Sequence, residues 1–487
     1  MDAPRLPIAA ALAAALAAVP VHAVQLGEQG RGQALIYPYF TVQSAHGDAF
    51  NTYVSVVNHS SDAKAVRVRF REARDSRPIA SFNLYLGPGD AWTAAVVPAS
   101  EGSGGAGFLT RDRSCTSPSL QGSPATLAFA STFYSGPYDD GNGAGLDRTR
   151  EGFLEMIEMA TLAGSSARAV TRDPATGMPS DCAAVLGNTA LEVAAPSGGL
   201  SGTLTLINVA NGMDFGTDAI ALDDLAARPF YRPPDDPYPD FNAFEIAPVS
   251  AIVSQGTAYR SSWIRAADAV SAVLMRADLE GEYVLDAGTL SRTDFVVAFP
   301  TRQFYVTPAS AAPPFGSPAR WDPACRIDGV ASGEHVALDW SDREGARATP
   351  DATQSAAAVF CAAVAVFDVS DGSPHTAHES ASGVLGSTSG GFGVQTVDLG
   401  AGFASGWLRL AFDAPAARAG ITTLRESERL DGATGELTGG AHSLSGLPAI
   451  GFAVRTFTNG TLSCAAGACQ GNYGSLFALK SSRAIAP

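Results

Sequence analysis

An acidic, glycine-rich segment, residues 139–151, carries oxygen-bearing side chains at the spacing of a calcium-binding loop. Counted from Asp140, such side chains occupy the first and third positions, a glycine the sixth and Glu151 the twelfth, as in loops that surround Ca²⁺ with carboxylates. Ala144 stands where a further carboxylate belongs, and no helix is predicted before the loop. The segment therefore predicts either a calcium site or an acidic hairpin turn. The candidate calcium ligands are Asp139, Asp140, Asn142, Asp147 and Glu151.

Other residues that could catalyse hydrolysis do not complete a motif. His375 and His378 both precede Glu379, whereas a zinc protease places the glutamate between its two histidines. Threonine stands at the centre of residues 386–390, where a nucleophile elbow requires serine. We therefore name no catalytic residue and predict a non-enzymatic protein that is structural or binds a macromolecule. The alternative is a secreted hydrolase of carbohydrate or polyester whose site is assembled from separate loops.

Two carboxylates, Glu155 and Glu158, lie in an otherwise apolar run. Paired carboxylates can serve glycoside hydrolysis, but a spacing of three residues on a β-strand places them on opposite faces. The alternative interpretation is that they are charges on an edge strand, where they discourage aggregation.

A proline-rich segment, residues 230–241, carries the aromatic side chains that could form a binding surface. Such rings could stack on sugars, and the extended segment could present a strip to a protein partner. Packing of a long loop against the rest of the molecule is the alternative, and the one we favour. The candidate binding residues are Phe230, Tyr231, Tyr238 and Phe241.

The first 23 residues have the three regions of a secretory signal peptide. Arg5 is the basic residue, residues 8–19 are apolar, and Val21 with Ala23 fits the small-residue rule for cleavage after Ala23. No cysteine follows that position, and no later apolar stretch approaches the roughly 20 residues that cross a bilayer. We therefore expect a secreted, periplasmic or cell-surface protein with no transmembrane segment after cleavage.

The sequence has six cysteines, and an even number in an exported chain suggests disulfide bonds. We favour the pairing of sequential neighbours, because each pair then lies within one candidate domain. Zinc binding is the less favoured interpretation, since no CxxC motif is present. The candidate disulfide cysteines are Cys115, Cys182, Cys325, Cys361, Cys464 and Cys469.

Strand patterns bounded by turn residues dominate the periodic parts of the chain. In residues 64–72, apolar side chains alternate with three arginines, which predicts a half-buried antiparallel strand. Helical patterns are short, at residues 222–227 and 266–275. The predicted fold class is mainly β, with two or more antiparallel, immunoglobulin-like β-sandwich modules, long Gly/Pro-rich loops and few short helices.

Composition divides the chain further. After the signal peptide (1–23), we predict an N-terminal β-sandwich module at 24–190, a second β-rich module at 191–310 and a C-terminal β-rich module at 311–487. The formal net charge of −16 argues against nucleic acid as a partner, because phosphate binding needs clustered cations. We expect an envelope macromolecule, protein or glycan, as the partner, and no cofactor other than calcium.

Several segments of the sequence resemble a group of uncharacterised exported proteins of proteobacteria. They are residues 37–42, 56–93, 152–159, 299–306 and 446–479. The resemblance extends over most of the chain and implies one co-inherited architecture, but no activity is attached to the group. Residues 56–93 also look like immunoglobulin-type modules of the bacterial envelope, which implies a sandwich topology and no particular function.

Overall fold

The structure is a computed structural model that describes residues 22–486 apart from short internal gaps. The gaps are residues 44–47, 100–103, 121–126, 187–189, 244–247, 319–320, 323–324, 328–329, 349–356, 377–381, 389–395, 414–422, 426–427, 432–436, 439–442 and 465–466.

The N-terminal half of the described chain folds into two antiparallel sheets. Its strands are β1 (Gln25–Leu26), β2 (Ala34–Thr41), β3 (Asn51–Asn58), β4 (Ala63–Glu72), β5 (Pro78–Leu86), β6 (Ala91–Pro98), β7 (Ala106–Leu109), β8 (Cys115–Ser117), β9 (Leu127–Ala128), β10 (Glu151–Leu162), β11 (Val193–Ala194), β12 (Leu200–Asn208), β13 (Met213–Asp218) and β14 (Ile220–Asp223).

These strands form one β-sandwich. The larger sheet has the order β1-β14-β2-β10-β4-β5-β8, with β11 beside β10, and the smaller has the order β13-β12-β3-β6-β7-β9. The alternation predicted for β4 is confirmed on its apolar side, because Val66, Val68 and Phe70 lie in the core between the sheets. There the rings of Phe70 and Phe108 stack with centroids 5.5 Å apart, a geometry that adds to the energy of burial.

The C-terminal half contains the remaining described strands. They are β15 (Val249–Ser254), β16 (Thr257–Ser262), β17 (Met275–Arg276), β18 (Asp278–Val284), β19 (Arg292–Ala298), β20 (Arg326–Ile327), β21 (Val330–Ala331), β22 (Glu334–Asp342), β23 (Ala357–Phe360), β24 (Val364–Ser370), β25 (Thr396–Asp398), β26 (Ser405–Ala411), β27 (Thr423–Arg425), β28 (Glu428–Asp431), β29 (Leu437–Thr438), β30 (Ser443–Ser445), β31 (Leu447–Pro448), β32 (Ile450–Cys464), β33 (Gly467–Ala478), β34 (Lys480–Ser482) and β35 (Ala484–Ala486).

Two five-stranded sheets of this half form the second sandwich. Their orders are β23-β22-β26-β18-β34 and β25-β24-β19-β32-β33. Within the second of these sheets, β24 and β25 pair in parallel, whereas β19 pairs antiparallel with both β24 and β32. The other strands of this half form smaller sheets, the largest with the order β15-β16-β28-β29. The mainly β, multi-sandwich fold class predicted from the sequence is confirmed.

The two sandwiches pack face to face through β19 and its neighbours. Phe295 and Val297 of β19 lie in the core of the second sandwich, while Val296 and Ala298 lie in the core that continues into the first. Because successive side chains of a strand point to opposite faces, β19 is buried on both faces. The sheet that contains β19 therefore contributes side chains to the cores of both sandwiches.

Two α-helices occur in the described chain, α1 (Gly164–Val170) and α2 (Ala266–Leu274). The helix predicted at residues 266–275 is confirmed, and it packs entirely within the apolar core. The helix predicted at residues 222–227 is wrong, because Leu222 belongs to strand β14 and pairs with Ala34 of β2. Neither α1 nor α2 has the length and apolar character that crossing a membrane requires.

The predicted module boundary between residues 190 and 191 falls inside the first sandwich. Strands β12 and β14 follow that boundary, yet β12 pairs with β3 and β14 pairs with β2. The N-terminal sandwich therefore extends to residue 223.

Two disulfides join sequential neighbours among the cysteines, as predicted. Cys115 of β8 bonds Cys182, with Cα atoms 5.2 Å apart, and Cys325 bonds Cys361, with Cα atoms 5.6 Å apart. Cys464 and Cys469 lie on the paired strands β32 and β33, but their side chains are outside the part of the chain that the structure describes. Their pairing stays a prediction.

Candidate functional site

The arginine face of strand β4 is buried, although the sequence predicts a half-buried strand. Arg67, Arg69 and Arg71 are each at most 3% exposed, because other parts of the chain cover this outer face of the larger sheet. Burial lowers the pKa of Arg67 to about 10 and that of Arg69 to about 9, since desolvation disfavours the charged form. The three guanidinium groups form a cationic row, which we call the arginine ladder.

The backbone of residues 232–240, which we call the cover segment, provides acceptors for the ladder. Arg67 donates from Nη1 to the Asp236 carbonyl at 2.9 Å and from Nη2 to the Pro233 carbonyl at 2.6 Å. Arg69 donates to the carbonyls of Pro237 and Pro239 at 2.8 and 3.0 Å. The Pro233 carbonyl also accepts from the Asp236 amide at 3.1 Å, so this part of the cover segment forms a turn.

The aromatic residues predicted as a binding surface mostly anchor this segment. Phe241 is fully buried, and Phe230 packs against the main core. The Tyr231 hydroxyl lies 2.8 Å from the Tyr85 hydroxyl. Tyr238 is 51% exposed and, with Phe230, lines a small cavity of about 300 Å³. Packing, the interpretation favoured from the sequence, accounts for three of the four side chains.

The third ladder arginine pairs with a carboxylate. Arg71 Nε lies 2.8 Å from Glu155 Oε2, and Gln303 from the C-terminal half donates to the other oxygen of Glu155 at 3.5 Å. Glu158 lies on the opposite face, where it accepts from Lys64 Nζ at 2.9 Å. The predicted division between faces is thus confirmed. The edge-strand interpretation is wrong, because β10 is an interior strand between β2 and β4.

Arginine occupies the position that a cation would take in the predicted calcium loop. Arg148 donates to both carboxylate oxygens of Asp140 at 2.8 Å and to the Gly143 carbonyl at 2.8 Å. Arg148 also lies 3.0 Å from Glu72 Oε1, and hydrogen bonds from Arg148 hold the pKa of Asp140 below its usual value despite desolvation. The counter-charge of Asp140 thus comes from within the loop itself, a pairing that the spacing of the acidic residues does not predict.

The other candidate calcium ligands lie apart from Asp140 and have their own partners. Asp139 caps its own turn by accepting from the Gly141 amide, and Asp147 pairs with Arg74 at 2.5 Å. Asn142 accepts from the Trp321 amide through its side chain. Glu151 accepts from the hydroxyls of Tyr39 and Ser387 at 2.8 and 2.5 Å. Among the described residues, no group of three or more His, Cys, Asp or Glu could hold a metal ion.

A cavity of about 910 Å³ opens beside the arginine ladder. Arg69, Arg71 and the turn at Asp75 form one wall, the cover segment forms the second, and residues 303–308 of the C-terminal half form the third. Five prolines and the rings of Phe133 and Tyr138 supply apolar surface. Clefts of this size between structural units are the usual position of binding sites, so we take this cavity as the candidate functional site.

Two exposed aromatic rings stand at this cavity. Phe133 is 48% exposed and Tyr138 is 60% exposed, and their centroids lie 6.3 Å apart with planes inclined by 45°. Large aromatic side chains are usually buried, and neighbouring exposed rings are typical of surfaces that contact a ligand. Neither ring was singled out from the sequence, because nothing in the local pattern distinguishes an exposed ring from a buried one.

The charged groups of the cavity nearly balance. Three arginines, Arg69, Arg71 and Arg77, face four carboxylates, which are Asp75, Asp235, Asp236 and Asp240. Burial raises the pKa of Asp75 to about 7, although Arg77 Nε lies 3.4 Å and Arg302 Nη1 3.7 Å from its oxygens. Near neutral pH the cavity therefore has little net charge, and Asp75 can either donate or accept a hydrogen bond.

A serine, a histidine and an aspartate meet outside this cavity, but not in the order of a catalytic triad. Ser373 Oγ contacts Asp371 and lies 2.9 Å from His375 Nδ1, while His375 Nε2 bonds the Leu285 carbonyl at 3.0 Å. In a triad the acid orients the histidine, which takes the proton of the serine. Here the acid bonds the serine, so the group stabilises a turn. His378 and Glu379 lie outside the described residues.

A second carboxylate pair is enclosed in the C-terminal sandwich. Asp294 and Asp368 are opposite each other on β19 and β24 and are 0% and 1% exposed. The amides of Val384 and Leu385 donate to Asp294, and Thr396 donates to Asp368. Burial raises the pKa of both groups, and the charge of Asp294 raises the pKa of Asp368 further, to about 8. With no access for a substrate, the pair affects stability and not catalysis.

Asp368→Asn is expected to stabilise the protein at alkaline pH relative to the wild type. A native pKa raised above the unfolded value near 3.9 lets the native state hold the proton, so stability falls as the pH rises from about 4 to about 8. An amide removes this loss and can still accept from Thr396. We expect the variant to gain about 1–3 kcal/mol over the wild type between pH 5 and pH 8.5, measured by urea unfolding.

The exposed Asp214 offers the matched control for this measurement. Asp214→Asn removes one carboxylate without touching a buried pair, so its stability should follow the wild type across the same range. If the free energy of unfolding changed with pH in the same way in all three proteins, Asp368 would be ionised in the native state over the whole range, and the prediction would be wrong.

No family model, curated protein or solved structure matches this chain when it is compared with known proteins.

Proposed function

We propose that the protein is an exported, non-enzymatic binding protein of the cell envelope that holds an uncharged carbohydrate in the cavity beside the arginine ladder. The observation that carries this proposal is the composition of that cavity, which combines apolar walls with planar polar side chains of nearly balanced charge. The predicted signal peptide and the two disulfides support the exported location.

The chemistry of a sugar ring matches the cavity in two respects. A pyranose has apolar faces that pack on aromatic rings, and hydroxyls that both donate and accept hydrogen bonds. Phe133 and Tyr138 offer the rings, while guanidinium and carboxylate groups offer donors and acceptors in fixed planes. An anionic ligand would meet four carboxylates and a cationic ligand three arginines, which favours a neutral ligand over either.

Tyr138→Ala is expected to weaken carbohydrate binding roughly 3- to 10-fold, because an aromatic contact contributes about 0.5–1.5 kcal/mol beyond its buried area. The side chain is 60% exposed, so its removal should leave folding intact. Isothermal titration against a panel of neutral oligosaccharides from bacterial envelopes and extracellular matrices measures the effect.

Tyr473→Ala serves as the matched control, because Tyr473 is 53% exposed on strand β33, away from the cavity. The affinity of Tyr473→Ala for the oligosaccharides should equal that of the wild type. Equal losses in both variants, or no binding of any neutral oligosaccharide at millimolar concentration, would refute the proposed function. Tighter binding of a charged glycan than of its neutral counterpart would refute the charge argument.

Hydrolysis of the bound carbohydrate is the second candidate function, and Asp75 is the observation in its favour. A carboxyl group with a pKa near 7 in a cleft is suited to general acid catalysis. Incubation of the wild type and Asp75→Asn with the same oligosaccharides, followed by measurement of new reducing ends, distinguishes the two functions. Release by the wild type that Asp75→Asn abolishes would establish hydrolysis; no release by either is the result we expect.

A further inference from the structure

The backbone around the predicted cleavage position is fixed inside the fold. Ala23 is 6% exposed and Val24 is 2% exposed. The Val24 amide donates to the Val249 carbonyl at 2.8 Å, and the Val24 carbonyl accepts from the Ala251 amide at 2.9 Å. Chain termini usually fray unless they are tied down, and here two hydrogen bonds and the apolar core hold the residue after the cleavage position.

A carboxylate lies at the same point. Asp224, directly after strand β14, accepts from the Ala23 amide through Oδ2 at 2.7 Å and contacts the His22 ring through Oδ1. Its backbone has a φ of +58°, a left-handed conformation that aspartate adopts more readily than most residues with a side chain. The hydrogen bond from Ala23 shows that this carboxylate lies beside the start of the mature chain.

We propose that Asp224 is the partner of the new amino terminus that forms when the chain is cut between Ala23 and Val24. Water hydrolyses the amide bond, which leaves a carboxylate on Ala23 of the departing peptide and an ammonium group on Val24. Asp224 already accepts a hydrogen bond from the Ala23 nitrogen. Three covalent bonds separate that nitrogen from the Val24 nitrogen. The ammonium group keeps its hydrogen bond to the Val249 carbonyl and gains the Asp224 carboxylate as a second partner. Asp224 in turn loses its contacts with His22 and Ala23.

The burial of the bond also fixes the order of events. A peptidase must bind several residues around the bond in extended form, and residues 6% and 2% exposed are closed to it. Cleavage therefore precedes the docking of Val24 against strand β15, and the ammonium group then takes its place beside Val249. Processing and folding are coupled through one ion pair, an inference that does not depend on what the cavity binds.

Amine labelling tests the pairing directly. The chain has two lysines, Lys64 and Lys480, so the products of a brief reaction with an N-hydroxysuccinimide ester are resolved by peptide mass spectrometry. We expect the mature protein to begin at Val24 and its amine to react at least about 10-fold more slowly than in Asp224→Asn, since a hydrogen bond to a charged group contributes about 1.5–3 kcal/mol. Exposed Lys480 is the internal reference.

A second comparison leaves Asp224 unchanged in case the variant does not fold. Chains that begin at Val24 are released from a fusion by a site-specific protease, left free or acetylated at the α-amine in urea, and compared in urea unfolding. Acetylation removes the positive charge that Asp224 would pair with, so we expect the folding equilibrium constant to fall about 10-fold. A mature chain that begins elsewhere, an amine equally reactive in the wild type and Asp224→Asn, or equal stability of the two chains would overturn the proposal.

Discussion

Replacing Arg148 by methionine is expected to destabilise the protein by about 3–5 kcal/mol, the cost of removing one partner from a buried ion pair. Arg148 is 2% exposed, and it lies between Asp140 and Glu72, with Nη atoms 2.8 and 3.0 Å from their oxygens. Its guanidinium also stacks on the ring of Tyr134 at 4.1 Å. Methionine keeps most of the volume but removes the cation between the two buried carboxylates, of which Asp140 retains Arg77 Nε at 3.4 Å. Urea unfolding at neutral pH measures the loss.

Arg343→Met is the matched control for this substitution. Arg343 pairs with Glu344 at 2.6 Å, but both side chains are mostly exposed, at 76% and 64%. Such surface pairs contribute at most about 1 kcal/mol, so the control should unfold close to the wild type. A loss below about 1 kcal/mol in Arg148→Met would mean that water enters and solvates the carboxylates. Unfolding with and without added Ca²⁺ tests the calcium interpretation in the same experiment.

Removal of the Cys115–Cys182 disulfide by a double substitution to alanine is expected to cost about 4 kcal/mol. The bond closes a loop of 67 residues, and loop-closure entropy in the unfolded chain predicts this magnitude. Cys115 is fully buried beside Tyr85 and Val170, so alanine at this position also loses some packing. The midpoint and slope of urea unfolding under oxidising conditions give the difference.

The Cys325–Cys361 bond provides the comparison, because its loop of 36 residues is shorter. The same entropy argument gives a cost of about 4 kcal/mol, slightly below that of the longer loop. A loss of less than 1 kcal/mol on removal of Cys115–Cys182 would show that the unfolded chain is already compact around this loop.

Local pattern was sufficient for strand β4 and helix α2, and the order of the cysteines along the chain was sufficient for two disulfides. Alternation placed Val66, Val68 and Phe70 of β4 on the apolar side correctly, and helix α2 was located within a residue or two. The prediction for residues 222–227 failed because Leu222 and its neighbours have no preference strong enough to resist pairing with β2. In such short apolar runs, tertiary contacts decide between helix and strand.

Long-range contacts explain what the sequence could not show about the site. Three arginines on one strand face are normally solvated, and their burial depends on a segment about 170 residues later in the chain. The cavity combines residues near positions 70, 138, 236 and 305, and no spacing rule relates these. Asp75 has an ordinary sequence context, and burial raises its pKa although Arg302 of the other half lies beside it and lowers the pKa.

The way in which the cover segment is attached affects the pH and the salt concentration that the protein can tolerate. Arg67 and Arg69 are held by carbonyl oxygens of residues 232–239, not by carboxylates. An amide carbonyl has no proton to gain in the range where aspartate and glutamate titrate, and its dipole attracts no competing counterion. Low pH or high salt weakens a surface segment that is held by salt bridges. The same conditions leave these hydrogen bonds in place. The attachment of the cover segment to Arg67 and Arg69 is therefore expected to withstand low pH and high salt, because the acceptors from the segment are backbone carbonyls.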